Sequence, residues 1–114
     1  MNIDTNETKY TVDYFLDKFE KIPEELWGIG KCFDIETKKR CAIGLCGIDF
    51  IYLGGNEQGD GLIGLFANNQ HILGTIYVSR INDFHQTMLN HRVPGETPKE
   101  RILNALKMIK TANE

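Results

Sequence analysis

Residues 97–110 read TPKERILNALKMIK and contain the clearest helix signal in the chain. Thr97 is a suitable N-cap, Pro98 suits the first helical position, and Glu100 completes a capping box three residues after the cap. Apolar residues follow at the spacing of one helical face, and cations near the end match the helix dipole. We therefore predict a terminal helix with a buried stripe of Ile102, Leu103, Leu106 and Ile109, followed by Lys107 and Lys110 in its last turns.

A second helix is predicted near the N-terminus. Thr11 can act as its N-cap, and Pro23 ends it and suits the start of a short helix that runs to Trp27. Residues 1–10 are polar, so we expect a disordered N-terminus and a single globular domain over residues 11–114. The apolar face of the predicted helix is formed by Val12, Phe15, Leu16, Phe19 and Ile22.

The middle of the chain is less regular. We expect a short buried helix over 40–46 and an extended segment over 50–53, although one buried strand also fits this apolar run. The polar, glycine-rich residues 54–61 predict a loop, and the segment from residue 62 predicts a short helix that ends at Asn68 and Asn69. TIYVSRI at 75–81 predicts a β-strand because it is rich in β-branched and aromatic residues. Lys31 to Ile35 is expected to be extended before a charged turn, and 82–96 to be loop or irregular helix.

These elements predict an α+β fold: a small single domain with helices at both ends around an irregular middle with a small sheet. The chain has 114 residues, 41% hydrophobic and 25% charged, with a formal net charge of -3. This acidic balance argues against nucleic acid as a partner. There is neither an apolar run of roughly 20 residues nor an apolar secretory segment. We therefore expect a cytoplasmic protein that does not bind a membrane.

Three motifs invite a cofactor or metal interpretation. Gly59, Gly61 and Gly64 match G-x-G-x-x-G, but five residues separate them from the preceding apolar segment and Asp60 would face a phosphate. A calcium loop would need a glutamate where Ala67 stands. The cysteines are spaced nine and five residues apart, without the close pairs that structural zinc sites use. We expect no cofactor and no metal, and leave open whether the 54–64 segment binds a ligand.

Cys41 is the strongest candidate for chemistry. It follows three cations, and at the start of a helix its thiol pKa would be lowered, as a nucleophile requires. His71 or His85 would be the base and Asp83 would orient it. The alternative is that Cys41 and Cys46 are small buried hydrophobic residues, which their apolar neighbours favour.

Five residues are candidates for binding. Lys38, Lys39 and Arg40 form a cationic run that would contact phosphate or an acidic partner, unless it is only a solvated turn. Asn82 and Asp83 would form either a surface contact or a turn whose side chains bond nearby backbone groups.

The order of several short motifs resembles a family of small uncharacterised domains found in bacteriophages and bacteria. The matching features are FLDKF before a Trp-containing segment, KCFD, RCAIGLCG, LIGLF, SRIND and the capped TPKERILNAL helix, which together extend over residues 11–111. The shared pattern is a Cys-Ala-x-Gly core segment, an Ile-Asn-Asp motif and a final capped helix. The resemblance implies a bacteriophage or mobile-element origin, and it carries over no catalytic residue.

Taken together, these features predict a small soluble interaction module that binds a cytosolic protein partner, with action on a host protein implied by the resemblance. Formation of a homodimer is left open. The alternative function is that of a thiol-dependent enzyme with Cys41 as its nucleophile.

Overall fold

The computed structural model describes residues 10–46 and 57–114, and these residues are mostly helical. The described α-helices, in chain order, are α1 Val12–Glu20, α2 Ala42–Cys46, α3 Glu57–Ala67, α4 Gln70–Leu73, α5 Val78–Asp83, α6 Gln86–Leu89 and α7 Pro98–Ala112. A 3₁₀ helix, Glu24–Leu26, lies between α1 and α2.

Helix α7 is the element on which most of the others pack, since α1, α2, α4 and α5 all contact it. Its predicted cap is confirmed: Thr97 Oγ1 accepts a hydrogen bond from the Glu100 N–H at 3.1 Å. The Glu100 carboxylate reaches back to the N–H of Glu96 at 2.6 Å, one residue earlier than the usual capping-box partner. Ile102, Leu106 and Ile109 are buried, so the predicted apolar stripe is confirmed as well.

The second predicted helix is confirmed as α1. Thr11 Oγ1 accepts a hydrogen bond from the Tyr14 N–H at 3.2 Å, which satisfies one of the free donors at the helix start. Phe15 and Phe19 are fully buried, and the Phe19 ring packs edge-on against Trp27 with centroids 5.2 Å apart. The Trp27 indole N–H donates to the carbonyl of Ile22 at 3.3 Å.

The predicted α+β class is wrong for the part of the chain that the structure describes. No sheet is present there, and the one β-type contact is an isolated bridge between Trp27 and Arg40. The segment predicted as a strand contains α5 instead. Val78, Ile81 and Asn82 are buried at helical spacing, so packing against α7 and α2 outweighs the strand preference of this segment.

Two further predictions fall in the middle of the chain. The buried helix expected over 40–46 is confirmed as α2. The loop predicted over 54–61 is wrong from Glu57 onward, because α3 begins there and contains Gly59, Gly61 and Gly64. Gly54 to Asn56 and the extended segment expected over 50–53 lie outside the described residues. Because the three glycines lie inside a helix, they do not form the loop that would hold a phosphate.

Candidate functional site

Between the 3₁₀ helix and α2 the chain forms a closed loop over residues 28–40, which we call the 28–40 loop. Two backbone hydrogen bonds close its base. The Gly28 N–H donates to the carbonyl of Arg40 at 2.8 Å, and the Arg40 N–H donates to the carbonyl of Leu26 at 2.9 Å. The Cys41 N–H also donates to Lys31 at 3.2 Å. The two ends of the loop are therefore held side by side.

A tight turn forms the outer part of the loop. The Asp34 N–H donates to the carbonyl of Lys39 at 2.9 Å, and the Lys38 N–H donates to the carbonyl of Asp34 at 2.7 Å. The Asp34 carboxylate accepts the N–H of Glu36 at 3.0 Å, and this bond is the main reason that the pKa of Asp34 is lowered. Lys38 has a φ of 66°, a left-handed conformation common in tight turns.

Asn82, which is fully buried, fixes the loop to the helices. Its Oδ1 accepts the N–H of Ala42 in the first turn of α2 at 3.0 Å, and its Nδ2 donates to the carbonyl of Gly28 at 2.9 Å. Nδ2 also donates to the carboxylate of Asp83 at 2.8 Å. One side chain thus joins the start of the loop, α2 and α5.

Arg101, on α7, extends this network. It is buried, and it donates to the carbonyls of Ile81, Asn82 and Gly95 at 2.7, 2.8 and 3.2 Å. Two of these carbonyls belong to α5, whose end would otherwise leave acceptors unpaired. Burial lowers the pKa of Arg101, and the nearby Asp83 opposes this effect. The sequence does not single out Arg101, because in a helix rich in charge nothing distinguishes it from a solvated arginine.

The outer surface of the 28–40 loop is both apolar and cationic. Ile29, Phe33 and Ile35 are exposed, and Ile35 retains 72% of its accessible surface. The Arg40 guanidinium lies over the Phe33 ring, 4.5 Å from its centroid, which is the geometry of a cation–π interaction.

The five predicted binding residues fall into two groups that lie in different places. Lys38, Lys39 and Arg40 lie on the 28–40 loop itself. Asn82 is buried beneath it, and Asp83 is half-buried and bonded to Asn82. Asn82 can therefore act only by positioning the loop. The sequence does not identify Ile29, Phe33 and Ile35 as a surface, because no local pattern distinguishes an exposed apolar side chain in a loop from a buried one.

The surroundings of Cys41 do not activate a thiol. Burial raises the pKa of Cys41, and this effect is larger than the lowering by hydrogen bonds that its sulfur accepts from the N–H groups of Gly44 and Ile43. Burial also raises the pKa of Cys46, to about 12. Both thiols are therefore protonated at neutral pH, whereas a nucleophile needs the thiolate. The core packing expected for these two cysteines is confirmed by their exposures of 8% and 1%.

The other members of the predicted catalytic group lie elsewhere. His71 is exposed, and its carbonyl accepts a hydrogen bond from Arg92 at 2.7 Å. His85 caps α6, where its Nδ1 accepts the N–H of Thr87 at 3.2 Å. Within residues 10–46 and 57–114, no hydrogen bond connects a histidine to Cys41.

The described part of the chain contains no group of three or more His, Cys, Asp or Glu residues placed to hold a metal ion. No helix described here is both long enough and apolar enough to span a membrane. In comparisons with known proteins, no family model, no curated protein and no solved structure matches this chain. The resemblance to bacteriophage and bacterial domains therefore stays a prediction.

Proposed function

We propose that this chain is a small interaction module that binds a protein partner through the 28–40 loop. The observation that carries the proposal is that Ile29, Phe33 and Ile35 are exposed on a loop whose backbone is fixed at both ends. A surface that is already ordered loses less conformational entropy on binding than a flexible one. Burying these side chains against a partner would remove apolar surface from water, which favours association.

The charge of the loop indicates what kind of surface it would bind. It contains four cations and two carboxylates, whereas the whole chain has a formal net charge of -3. Along the sequence, Phe33 and Ile35 lie between Lys31 and the run from Lys38 to Arg40, and Ile29 lies two residues before Lys31. The complementary surface is an apolar pocket with an acidic rim, because opposite charges steer two proteins into the correct orientation. A cytosolic host protein is the partner that the bacteriophage resemblance implies.

Site-specific photo-cross-linking tests this proposal directly. A photoreactive amino acid is placed at Ile35, or at Met88 on α6 as a matched control, since these residues expose 72% and 68% of their surface. After irradiation in cells of the source organism, we expect a one-to-one adduct with another protein from position 35 and none from position 88. Equal adducts from both positions, or none from position 35, would contradict the proposal. An adduct between two copies of this chain would show that the loop forms a homodimer contact and does not bind another protein.

Charge reversal provides a second arm of the same experiment. Replacing Lys38 and Lys39 with Glu should reduce the yield of the position-35 adduct, and the reduction should be larger at low salt than at high salt. Replacing Lys107, an exposed cation on α7, with Glu is the control and should leave the yield unchanged. If both variants reduced the yield equally, the effect would come from net charge and not from the loop.

A further inference from the structure

Cys32 and Cys41 lie together at the base of the 28–40 loop. The backbone hydrogen bond from the Cys41 N–H to Lys31 places residue 41 beside the chain that leads into Cys32. Cys32 also packs closely on the first turn of α2, because a methyl group at Gly44 would overlap the Cys32 carbonyl oxygen. Burial raises the pKa of Cys41, and the nearby Cys32 raises it further. The two backbone contacts therefore place Cys32 and Cys41 next to each other at the base of the loop.

The two thiols differ in their access to solvent. Cys32 is exposed and Cys41 is buried, so an oxidant dissolved in water reaches Cys32 before it reaches Cys41. An accessible thiol with a second thiol in contact is the arrangement found in reversible thiol oxidation. Cys46 is also buried, so it provides an internal comparison that should not react.

We propose that Cys32 and Cys41 are a reversible oxidation site that forms an intramolecular disulfide when a hydroperoxide oxidises Cys32. In the first step the Cys32 sulfur attacks the peroxide, the O–O bond breaks, and Cys32 sulfenic acid and an alcohol or water form. In the second step the Cys41 sulfur attacks the Cys32 sulfur, the S–O bond breaks, and the oxygen leaves as water with the proton of Cys41. The two sulfurs lose two electrons, and the peroxide gains them.

The disulfide would close a covalent ring that contains Phe33, Ile35 and three of the four cations of the 28–40 loop. Oxidation would then fix the surface proposed to bind a partner, and this consequence rests on the proposed function. The oxidation itself does not, because it can be measured on the isolated chain.

The experiment treats the purified, reduced chain with one equivalent of hydrogen peroxide, followed by alkylation and peptide mapping by mass spectrometry. We expect a peptide pair linked through Cys32 and Cys41, the loss of two free thiols, and full recovery of Cys46 as its alkylated form. Dithiothreitol should restore all three thiols. Disulfides between two chains through Cys32, a Cys41–Cys46 bond, or overoxidation of Cys32 with Cys41 still free would each overturn the proposal.

Two variants complete the test. Cys41→Ser places a hydroxyl oxygen where the sulfur accepts the N–H groups of Gly44 and Ile43, so it should fold. It should abolish the linked pair, while Cys32 sulfenic acid becomes trappable by dimedone. Cys46→Ala should still form the linked pair. Because Cys41 is the buried thiol and must lose its proton, the second step should become faster as pH rises from 6 to about 9. A disulfide that forms while the position-35 cross-link fails would retain this site and reject only the proposed binding function.

Discussion

At Asn82, two hydrogen bonds hold together segments that lie far apart in the sequence. Its Oδ1 accepts a hydrogen bond from the N–H of Ala42, 40 residues earlier, and its Nδ2 donates one to the carbonyl of Gly28, 54 residues earlier. The sequence pattern offered a turn or a surface contact for this residue. It could not predict that Asn82 is buried, because an Asn-Asp pair has the same neighbours in sequence whether its side chains bond nearby or distant backbone groups.

We expect Asn82→Ala to destabilise the protein by about 3 kcal/mol, because it leaves the buried Ala42 N–H and the half-buried Gly28 carbonyl without their Asn82 partner. Urea denaturation of the variant and the wild type measures this difference. Asn104→Ala is the control: its Nδ2 donates to Pro94 at a solvent-accessible position, so its loss should cost less than about 1 kcal/mol. Equal losses in the two variants would show that Asn82 is an ordinary polar residue.

Cys46 should make the protein less stable at alkaline pH. The folded state holds its pKa at about 12, above the ordinary value of 9.0. Below pH 9 the thiol is protonated in both states. Above it the unfolded chain releases the proton first, so stability falls as pH rises from 9 towards 12.

At pH 10.5 the contribution of Cys46 should be reduced by about 2 kcal/mol, since each pH unit in this range is worth about 1.4 kcal/mol. The measurement is the free energy of unfolding at pH 8 and pH 10.5 for the wild type and for Cys46→Ala. The variant should lose less stability over this interval. Parallel losses would show that the thiol does not keep its proton in the folded state.

At the scale of the elements, α1 and α7 were predicted together with their caps, α2 was predicted from its apolar run alone, and α5 was not predicted. α1 and α7 have a capping threonine and an apolar stripe, and both were found with the predicted caps. α5 has no side-chain cap, and its β-branched residues favour a strand in isolation. Its helical form depends on burial against α7 and on Arg101, which local sequence does not reveal.

Gly44 is the point at which α2 and the 28–40 loop approach most closely, and Gly44→Ala tests that contact. The new methyl group would overlap the Cys32 carbonyl oxygen, a backbone atom that cannot move without displacing the loop. We expect a loss of about 3 kcal/mol in stability.

Gly64→Ala is the matched control for this substitution, because a methyl group there meets no atom within 4 Å. Gly64 lies inside α3, where alanine is the better helix former, so we expect a gain of about 0.5 to 1 kcal/mol. Thermal unfolding should therefore move in opposite directions for the two variants. A destabilised Gly64→Ala together with a neutral Gly44→Ala would contradict the packing described for both elements.

At the scale of the whole molecule, helices pack around α7 and one ordered loop carries positive charge on an acidic chain. The two terminal helices and the cationic run could be identified from composition and periodicity. The class of the fold and the apolar part of the loop surface could not. The fold class depends on packing between elements, such as that of α5 on α7, and the position of the loop depends on Asn82, whose partners lie 40 and 54 residues away.

The central claim is that the 28–40 loop is an ordered surface before any partner binds, and native-state hydrogen exchange tests it most directly. The N–H groups of Gly28, Asp34, Lys38 and Arg40 donate at 2.7 to 2.9 Å within or across the base of the loop. We expect each to exchange about a hundredfold more slowly than an unstructured chain, which corresponds to an opening free energy of about 3 kcal/mol. Exchange of all four at the unstructured rate would contradict the account, because no fixed surface would then exist for a partner to recognise.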